Sequence, residues 1–262
     1  MVGVKRQAFV TRRTFIATSL ASATLLSSRY GHADEALNSL KVMTEDYPPF
    51  NYHKDGELKG LSVEIVSELL KRAGTSHKRS DIELLPWARG YNLTLDRPGH
   101  ALFSTTRTED RENLFKWVGP FVPTIIGLIA RKDRNLTIGP EQDFSKIRIG
   151  VVKDDVGHLL LRSAGVADKD LDIVLFNDQN YKKLAAGRID AMAYETSVMK
   201  WGLHSVGESL SEYEMIHELK RSDLYLALNK ETPDSQVETL QRSFESLVAD
   251  GTHAEIVARY LS

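Results

Sequence analysis

From residue 38 onward, runs with the two-residue period of a strand alternate with runs at helical spacing, and this alternation starts twice. The first series opens with Leu40-Lys41-Val42-Met43-Thr44, a strand signal stopped by Pro48-Pro49, which cannot extend a hydrogen-bonded ladder. An amphipathic helix follows, with Leu61, Ile65, Leu69 and Val66, Leu70, Ala73 on one face. Ser62 is its expected cap and Gly74 its stop, and Lys71 and Arg72 occupy the last turn, where the helix dipole favours cations. Strands at 81–85, 101–103 and 124–130, and a helical segment around Trp87, Arg89 and Tyr91, complete the series. The charged stretch Arg131-Lys132-Asp133-Arg134-Asn135 ends it. The second series predicts a strand at 147–152, a helix at 156–164, a strand at 172–176, a short helix at 181–186 closed by Gly187, and strands at 189–194 and 223–228. It runs into Asn229-Lys230-Glu231-Thr232-Pro233. Two helices follow: one carries Val237, Leu240, Phe244, Leu247 and Val248 on one face and stops at Gly251, and the other opens with the capping box Thr252-His253-Ala254-Glu255. Two β/α series parted by polar boundaries predict an α/β protein of two lobes.

Composition narrows the function classes. The 262 residues are 42% hydrophobic and 27% charged, ordinary for a globular chain with a proper core. The formal charge of -2 hides an asymmetry: residues 1–33 carry Lys5, Arg6, Arg12, Arg13 and Arg29 and no acid. Taking these five from the 34 basic residues leaves 29 against 36 acidic ones, so the remainder stands near -7. A mildly acidic body has no long-range pull on nucleic acid or anionic lipid. With no cysteine there are no disulfides, no thiolate metal sites, no cysteine nucleophile and no lipid anchor at a lipobox. The eight histidines are scattered without a His-x-x-x-His pair, so neither a metal nor another cofactor is expected.

The amino terminus reads as an address. Thr11-Arg12-Arg13-Thr14-Phe15-Ile16 precedes a weakly apolar run from Ala17 to Ser28, and Gly31 and Ala33 are small residues suited to cleavage after Ala33. The paired arginines resemble the twin-arginine signal, and the Ala-, Ser- and Thr-rich run is too short and too often broken by hydroxyls to span a bilayer. Residues 1–33 are therefore expected to be an export signal, and the mature chain soluble and periplasmic.

Four segments, in order, carry a resemblance. Thr44-Glu45-Asp46-Tyr47-Pro48-Pro49-Phe50, continued by Gly60-Leu61-Ser62-Val63-Glu64-Ile65, looks like a first strand, ligand loop and first helix. Ser104-Thr105-Thr106-Arg107-Thr108-Glu109-Asp110-Arg111 looks like a Ser/Thr-rich turn ending in Arg. Ala186-Gly187-Arg188-Ile189-Asp190-Ala191 looks like a second-lobe signature, and Asp250-Gly251-Thr252 through Tyr260 like a carboxy-terminal helix. Together they resemble the type 3 family of extracellular solute-binding proteins, which includes the polar amino-acid receptors of ABC transporters. The resemblance covers about residues 38–262. It implies the two-lobed type II periplasmic-binding-protein fold, with two mixed β-sheets flanked by helices and a double hinge crossover. Lobe 1 would be 38–131 plus 229–262 and lobe 2 would be 132–228, with a solute between them. A monomer delivering its solute to a permease or membrane sensor is implied as well.

The resemblance also nominates site residues. Arg111 would hold a ligand carboxylate through two charge-assisted hydrogen bonds, with Ser104 and Thr106 adding hydroxyl donors. Without that context, Thr108-Glu109-Asp110-Arg111 reads as a capped helix start with an exposed arginine. Glu195 stands where amino-acid binders place an acid, usually Asp, for the ligand ammonium; the alternative is a solvated acid at a strand end. Tyr47, Phe50 and Trp87 would wall the pocket, or belong to the core. Arg89 and Arg107 flank cleft segments and would bind a second acidic group, pair with Glu45, Asp46, Asp154 or Asp155, or form surface ion pairs. Lys153-Asp154-Asp155-Val156-Gly157 departs from the family's short Gly/Ser/Thr turn, because two aspartates disfavour an anion there. Three functions follow as expectations: solute capture, with no enzyme activity; a dehydratase of the periplasmic cyclohexadienyl type, with Glu195 as general acid and Arg111 as clamp; and an orphan sensory module.

Overall fold

The computed structural model describes residues 37–139 and 143–261; the export signal read in residues 1–33 lies outside them. Strand β1 (Lys41–Thr44) runs parallel to both β4 (Glu83–Leu84) and β5 (His100–Thr106), so the carboxy ends of all three open on the same edge. Between them, the hairpin β2 (Tyr52–Lys54) and β3 (Glu57–Lys59) leads into helix α1 (Leu61–Arg72), which buries Leu61, Val63, Ile65, Val66, Leu69 and Leu70. The helix starts without the expected Ser62 cap. Its boundary residue is Gly60 at φ 125°, where a Cβ would stand 2.3 Å from the Phe50 carbonyl oxygen. That same carbonyl accepts the Ser62 N–H at 2.9 Å, so a glycine lets the backbone pass close enough to cap itself. At the other end Gly74 acts as the sequence implies: it has φ 78°, and its N–H reaches Lys71 while that of Thr75 reaches Leu70.

Helix α2 (Trp87–Asp96) packs on β5, and the chain then enters β6 (Phe115–Arg131), 17 residues long. The second series follows as β7 (Ile149–Val152), α3 (Val156–Ser163), β8 (Leu171–Val174), α4 (Asn177–Ala185), β9 (Ala191–Glu195) and α5 (Thr196–Ser205), and returns through β10 (Tyr213–Asn229), also 17 residues. Helices α6 (Asp234–Ala249) and α7 (Thr252–Leu261) cover α1. Thr252 opens α7 without the expected capping box: its N–H and its hydroxyl both donate to Asp250, at 3.1 and 2.7 Å, while the Glu255 N–H goes to the Gly251 carbonyl.

The strand order is β4-β1-β5-β10-β6-β9-β7-β8. β10 lies between β5 and β6 and antiparallel to both, β6 pairs antiparallel with β9, and β7 lies parallel to both β8 and β9. The two mixed sheets expected from the sequence are thus joined through one antiparallel ribbon, β6 with β10. On the first side β5 flanks this ribbon as far as Leu224; on the second, β9 flanks it from Ile126. Between these points Pro123, Thr124 and Ile125 face Asp223, Ser222 and Arg221, inside the charged boundaries read at 131 and 229. β6 accommodates Gly119 and Pro120 because the ladder is irregular there: pairing jumps from Leu224 opposite Val122 to Leu226 opposite Val118. The Gly119 N–H and C=O are taken instead by the Gln241 side chain of α6, at 3.0 and 3.2 Å.

Gly60→Ala is expected to cost about 3 kcal/mol or more of unfolding free energy, since a forbidden backbone angle and a backbone clash coincide. Gly99→Ala, at φ 73° with open space around it, should cost about 1 kcal/mol. Urea unfolding of both variants checks the difference, and equal losses would contradict it.

Candidate functional site

The carboxy ends of β1 and β5 face those of β7 and β9 across a crevice, the place where open α/β sheets bind ligands. A cavity of about 630 Å³ occupies it, within the about 300–1,000 Å³ typical of small-molecule sites. Its first wall holds Glu45 and Asp46 from the loop after β1, Tyr52 from β2 and Trp87 at the start of α2. The opposite wall holds Phe176 and Asp178 at the β8–α4 junction, Tyr181 from α4, Tyr194 from β9 and Trp201 from α5. Tyr52 and Trp201 meet across the crevice at 5.3 Å between ring centroids. Gly202 lets α5 approach, because a Cβ there would lie 2.0 Å from the Tyr181 ring.

Two hydrogen bonds join the walls at one atom. Asp154, held at φ 59°, turns its carbonyl toward the first side. Trp87 Nε1 donates to it at 2.9 Å and Arg111 Nη2 at 3.2 Å. Arg111 Nη1 donates to the Thr106 carbonyl at 3.3 Å. The guanidinium carbon lies 5.1 Å from the ring centroids of both Trp87 and Tyr91, and the side chain is only 1% exposed. Arg111 does not line the main cavity. It faces a second crevice of about 420 Å³, with Tyr91, Leu159 and Arg162.

The other residues singled out in the sequence separate into three groups. Tyr47 is buried edge-on to Tyr194 at 5.4 Å, and Phe50 packs beside it at 5.6 Å, both in the core that backs the cleft. Ser104, at φ 58°, donates its hydroxyl to Asn51, whose amide in turn donates to the Glu45 carbonyl at 2.5 Å, so Ser104 holds the ligand loop in place. Thr106 is buried and contributes its carbonyl to Arg111. Glu195 is also buried, but its carboxylate turns back on its own chain: Oε2 accepts the Val198 N–H at 2.7 Å and caps α5. Arg107 lies outside the cleft, bonded twice to Glu112 at 2.7 and 2.5 Å and stacked over Trp117 and Tyr225. Arg89 is exposed on α2 and does not line the cavity. Neither arginine reaches Asp154 or Asp155. Asp155 caps α3 through the Gly157 N–H at 3.4 Å, and the cation that acts on it is Arg111. Among the described residues no group of three or more His, Asp or Glu side chains converges as a metal site.

Glu45, Tyr181, Tyr194, Phe176, Asp178 and Trp201 were not nominated as site residues from the sequence. Their common signal is position: each follows or ends a strand whose carboxy end opens on the crevice, or sits on the helix that follows.

Burial raises the pKa of several acids here. Glu45 is pushed well above the usual carboxylate range, first by burial and then by Asp155 and Asp46, with Arg111 pulling the other way. Burial likewise raises Asp155, against Arg111, and Glu195, against the N–H groups it caps. The phenols of Tyr47 and Tyr194 beside Glu45 also move up, chiefly by burial. A raised Glu195 would suit a general acid, but its carboxylate is committed to the end of α5 and does not line the cavity.

Two comparisons place this architecture. Solved structures with the same two-lobed binding-protein fold include a histidine kinase sensor domain with similarity to periplasmic binding proteins (TM-score 0.74, 18% identity, covering 85% of this chain and 96% of that one). They also include a substrate-binding protein of an ABC uptake transporter from Streptococcus pneumoniae with bound histidine (TM-score 0.73, 17% identity, 89% and 95%) and an ancestral arginine-binding protein bound to arginine (TM-score 0.71, 18% identity, 85% and 98%). At these identities the likeness is one of fold. The chain belongs to the bacterial extracellular solute-binding proteins, family 3, whose model matches residues 40–262. No curated protein sequence matches it. No helix among the described residues is long and apolar enough to cross a membrane.

Because the folded form holds a proton on Glu45 more readily than the unfolded chain does, the group's contribution is most favourable below its ordinary value of 4.5 and is lost as pH rises through the raised value. Glu45→Gln removes that loss. The Tm of the variant minus that of the parent is expected to grow as pH rises above 4.5, measured without ligand. A difference that stays flat or shrinks with pH would contradict the burial of an ionised Glu45.

Proposed function

We propose that the chain is an exported binding protein, with no catalytic role, that captures a small amino-acid-like solute and hands its closed form to an ABC permease or membrane sensor. The single observation that carries this reading is the cavity walled by residues from both β/α series and bridged at the Asp154 carbonyl. Family membership supports capture and delivery. The likeness to a kinase sensor domain supports a sensor as the alternative recipient. The basic, weakly apolar leader in residues 1–33 supports export to the periplasm.

In this reading the halves part at the β6–β10 ribbon. The first lobe comprises the chain up to Pro123 together with the chain from Asp223 onward, and the second comprises the segment between Ile125 and Arg221. A two-stranded ribbon unsupported by a third strand is where twisting breaks the fewest hydrogen bonds, as hinge motion requires. Trp87 and Arg111 on one lobe and Asp154 on the other form a latch that is made only when the lobes close. Tyr47, Ser104 and Thr106 support the walls, and Glu195 orients α5 beneath them.

Trp87→Phe keeps a ring over Arg111 and removes one of the two bonds to Asp154. One hydrogen bond to a backbone carbonyl is worth about 1 kcal/mol, so solute affinity should fall about fivefold. Small-angle X-ray scattering should show a larger radius of gyration for the ligand-free variant than for the parent. An unchanged radius and affinity would remove the latch.

A further inference from the structure

The cavity wall is chemically one-sided. Glu45, Asp46 and Asp178 line it, against Lys54 and the neighbouring His53, both exposed at the rim on β2. Arg111, the group suited to a carboxylate, does not line the cavity: it stands behind Trp87, gives Nη1 and Nη2 to two backbone carbonyls and keeps Nε buried without a partner. Glu45 is only 8% exposed, yet lines the cavity, and its environment contains no hydrogen bond to the carboxylate among described residues. A buried carboxylate without a donor is costly, and the space in front of it is open. Much of the rest of the wall is apolar, with the rings of Tyr52, Trp87, Phe176, Tyr181, Tyr194 and Trp201 set among aliphatic residues such as Leu84, Leu85 and Val152. Of the six large hydrophobic side chains exposed among the described residues, three, namely Leu175, Phe176 and Trp201, belong to this cavity, at 59, 52 and 45% exposure. Exposed apolar groups gathered at the mouth of a cavity mark a surface that a guest covers.

We propose that the cavity selects an organic cation, an amine, guanidine or quaternary ammonium on an apolar body, whose charged end sits before Glu45 and Asp46 within the aromatic walls and whose recognition needs no carboxylate. The assignment rests on the solute-capture reading and names its ligand class. A cation there supplies the charge that Glu45 lacks, and ring faces attract it further, by about 1–2 kcal/mol when desolvated. An anion would meet three carboxylates and no inward-facing arginine.

The test is isothermal titration calorimetry of the purified chain with agmatine, phenethylamine and phenethyltrimethylammonium, against arginine, glutamine, glutamate and succinate. Agmatine differs from arginine by lacking the carboxylate. At least one of the three cations is expected to bind tenfold or more tighter than glutamine, glutamate or succinate, and agmatine at least as tightly as arginine. Glu45→Gln, which removes a buried charge and should fold at least as well as the parent, is expected to weaken that cation tenfold or more. Phe176→Ala, at an exposed position, should weaken it as well. Arginine binding tenfold tighter than agmatine, or equal cation affinity in parent and Glu45→Gln, overturns the assignment. Binding of glutamine, glutamate or succinate without any cation overturns it while leaving solute capture intact. If no compound binds, the assignment falls and solute capture loses its support with it.

Discussion

Closing the crevice takes one guanidinium and two carboxylates out of water. Arg111 is compensated at Nη1 and Nη2 by the carbonyls of Thr106 and Asp154 and by two ring faces, with its Nε left buried without a partner. Asp155 is compensated by the N–H groups that open α3 and by Arg111. Glu45 receives only the longer-range pull of Arg111, opposed by Asp155 and Asp46. Leaving a buried charge without a partner costs several kcal/mol, so the seam between the lobes is balanced only if Glu45 gains a proton or meets a cation. The shape of the cleft, its aromatic lining and the latch all stand around this one unbalanced group. In the proposed reading closure and the charge of the guest are therefore linked: a guest that neutralises Glu45 would lower the energy of the closed state.

The ribbon of β6 and β10 makes such an equilibrium mechanically available. It carries the chain between the halves both ways, and its middle residues have neither β5 nor β9 beside them. The irregular segment around Gly119 and Pro120 does not act as the soft point, because Gln241 from α6 fastens it to the first lobe. A break in the ladder is thus made rigid, while the regularly paired stretch nearby is left free to twist. Strand regularity alone is a poor guide to where a molecule bends; what matters is how many neighbours a strand would have to leave.

Much of this architecture was legible because local pattern and tertiary role agree. α1, α6 and α7 have clear apolar faces, and β1, β5, β7 and β9 fall where period-two or apolar runs predict them. Where the reading fell short, the cause is physical. β10 begins at Tyr213, ten residues before the apolar run that betrays it, because Tyr213 to Ser222 sit on a half-exposed ribbon and need no continuous apolar face. Helix α5 mixes Thr, Ser, Lys and His with only Val198, Met199, Gly202 and Leu203 buried, too weak a stripe to stand out. The start of α1 rests on a close approach between Gly60 and Phe50, ten residues apart, for which no capping residue gives a sign.

The site was harder to read, since its chemistry depends on which way a side chain turns. Position 195 illustrates this. Its carboxylate emerges at a strand end over a cleft, where an acid would meet a ligand ammonium. The extra methylene of Glu lets it swing back three residues, and the free N–H groups at the start of α5 compete for it. A capping bond within one segment needs no movement of the lobes, whereas in the proposed hinge reading a ligand contact would exist only in the closed state. Arg111 follows the same logic in reverse: its partner at Asp154 lies 43 residues on, in the second β/α series, and in the proposed hinge motion would be met only on closure. Residue type at a family position marks where the cleft runs. The partners within reach decide whether that residue holds the guest, the loop or the gate, and under the proposed assignment they leave the guest to Glu45 and the aromatic rings around it.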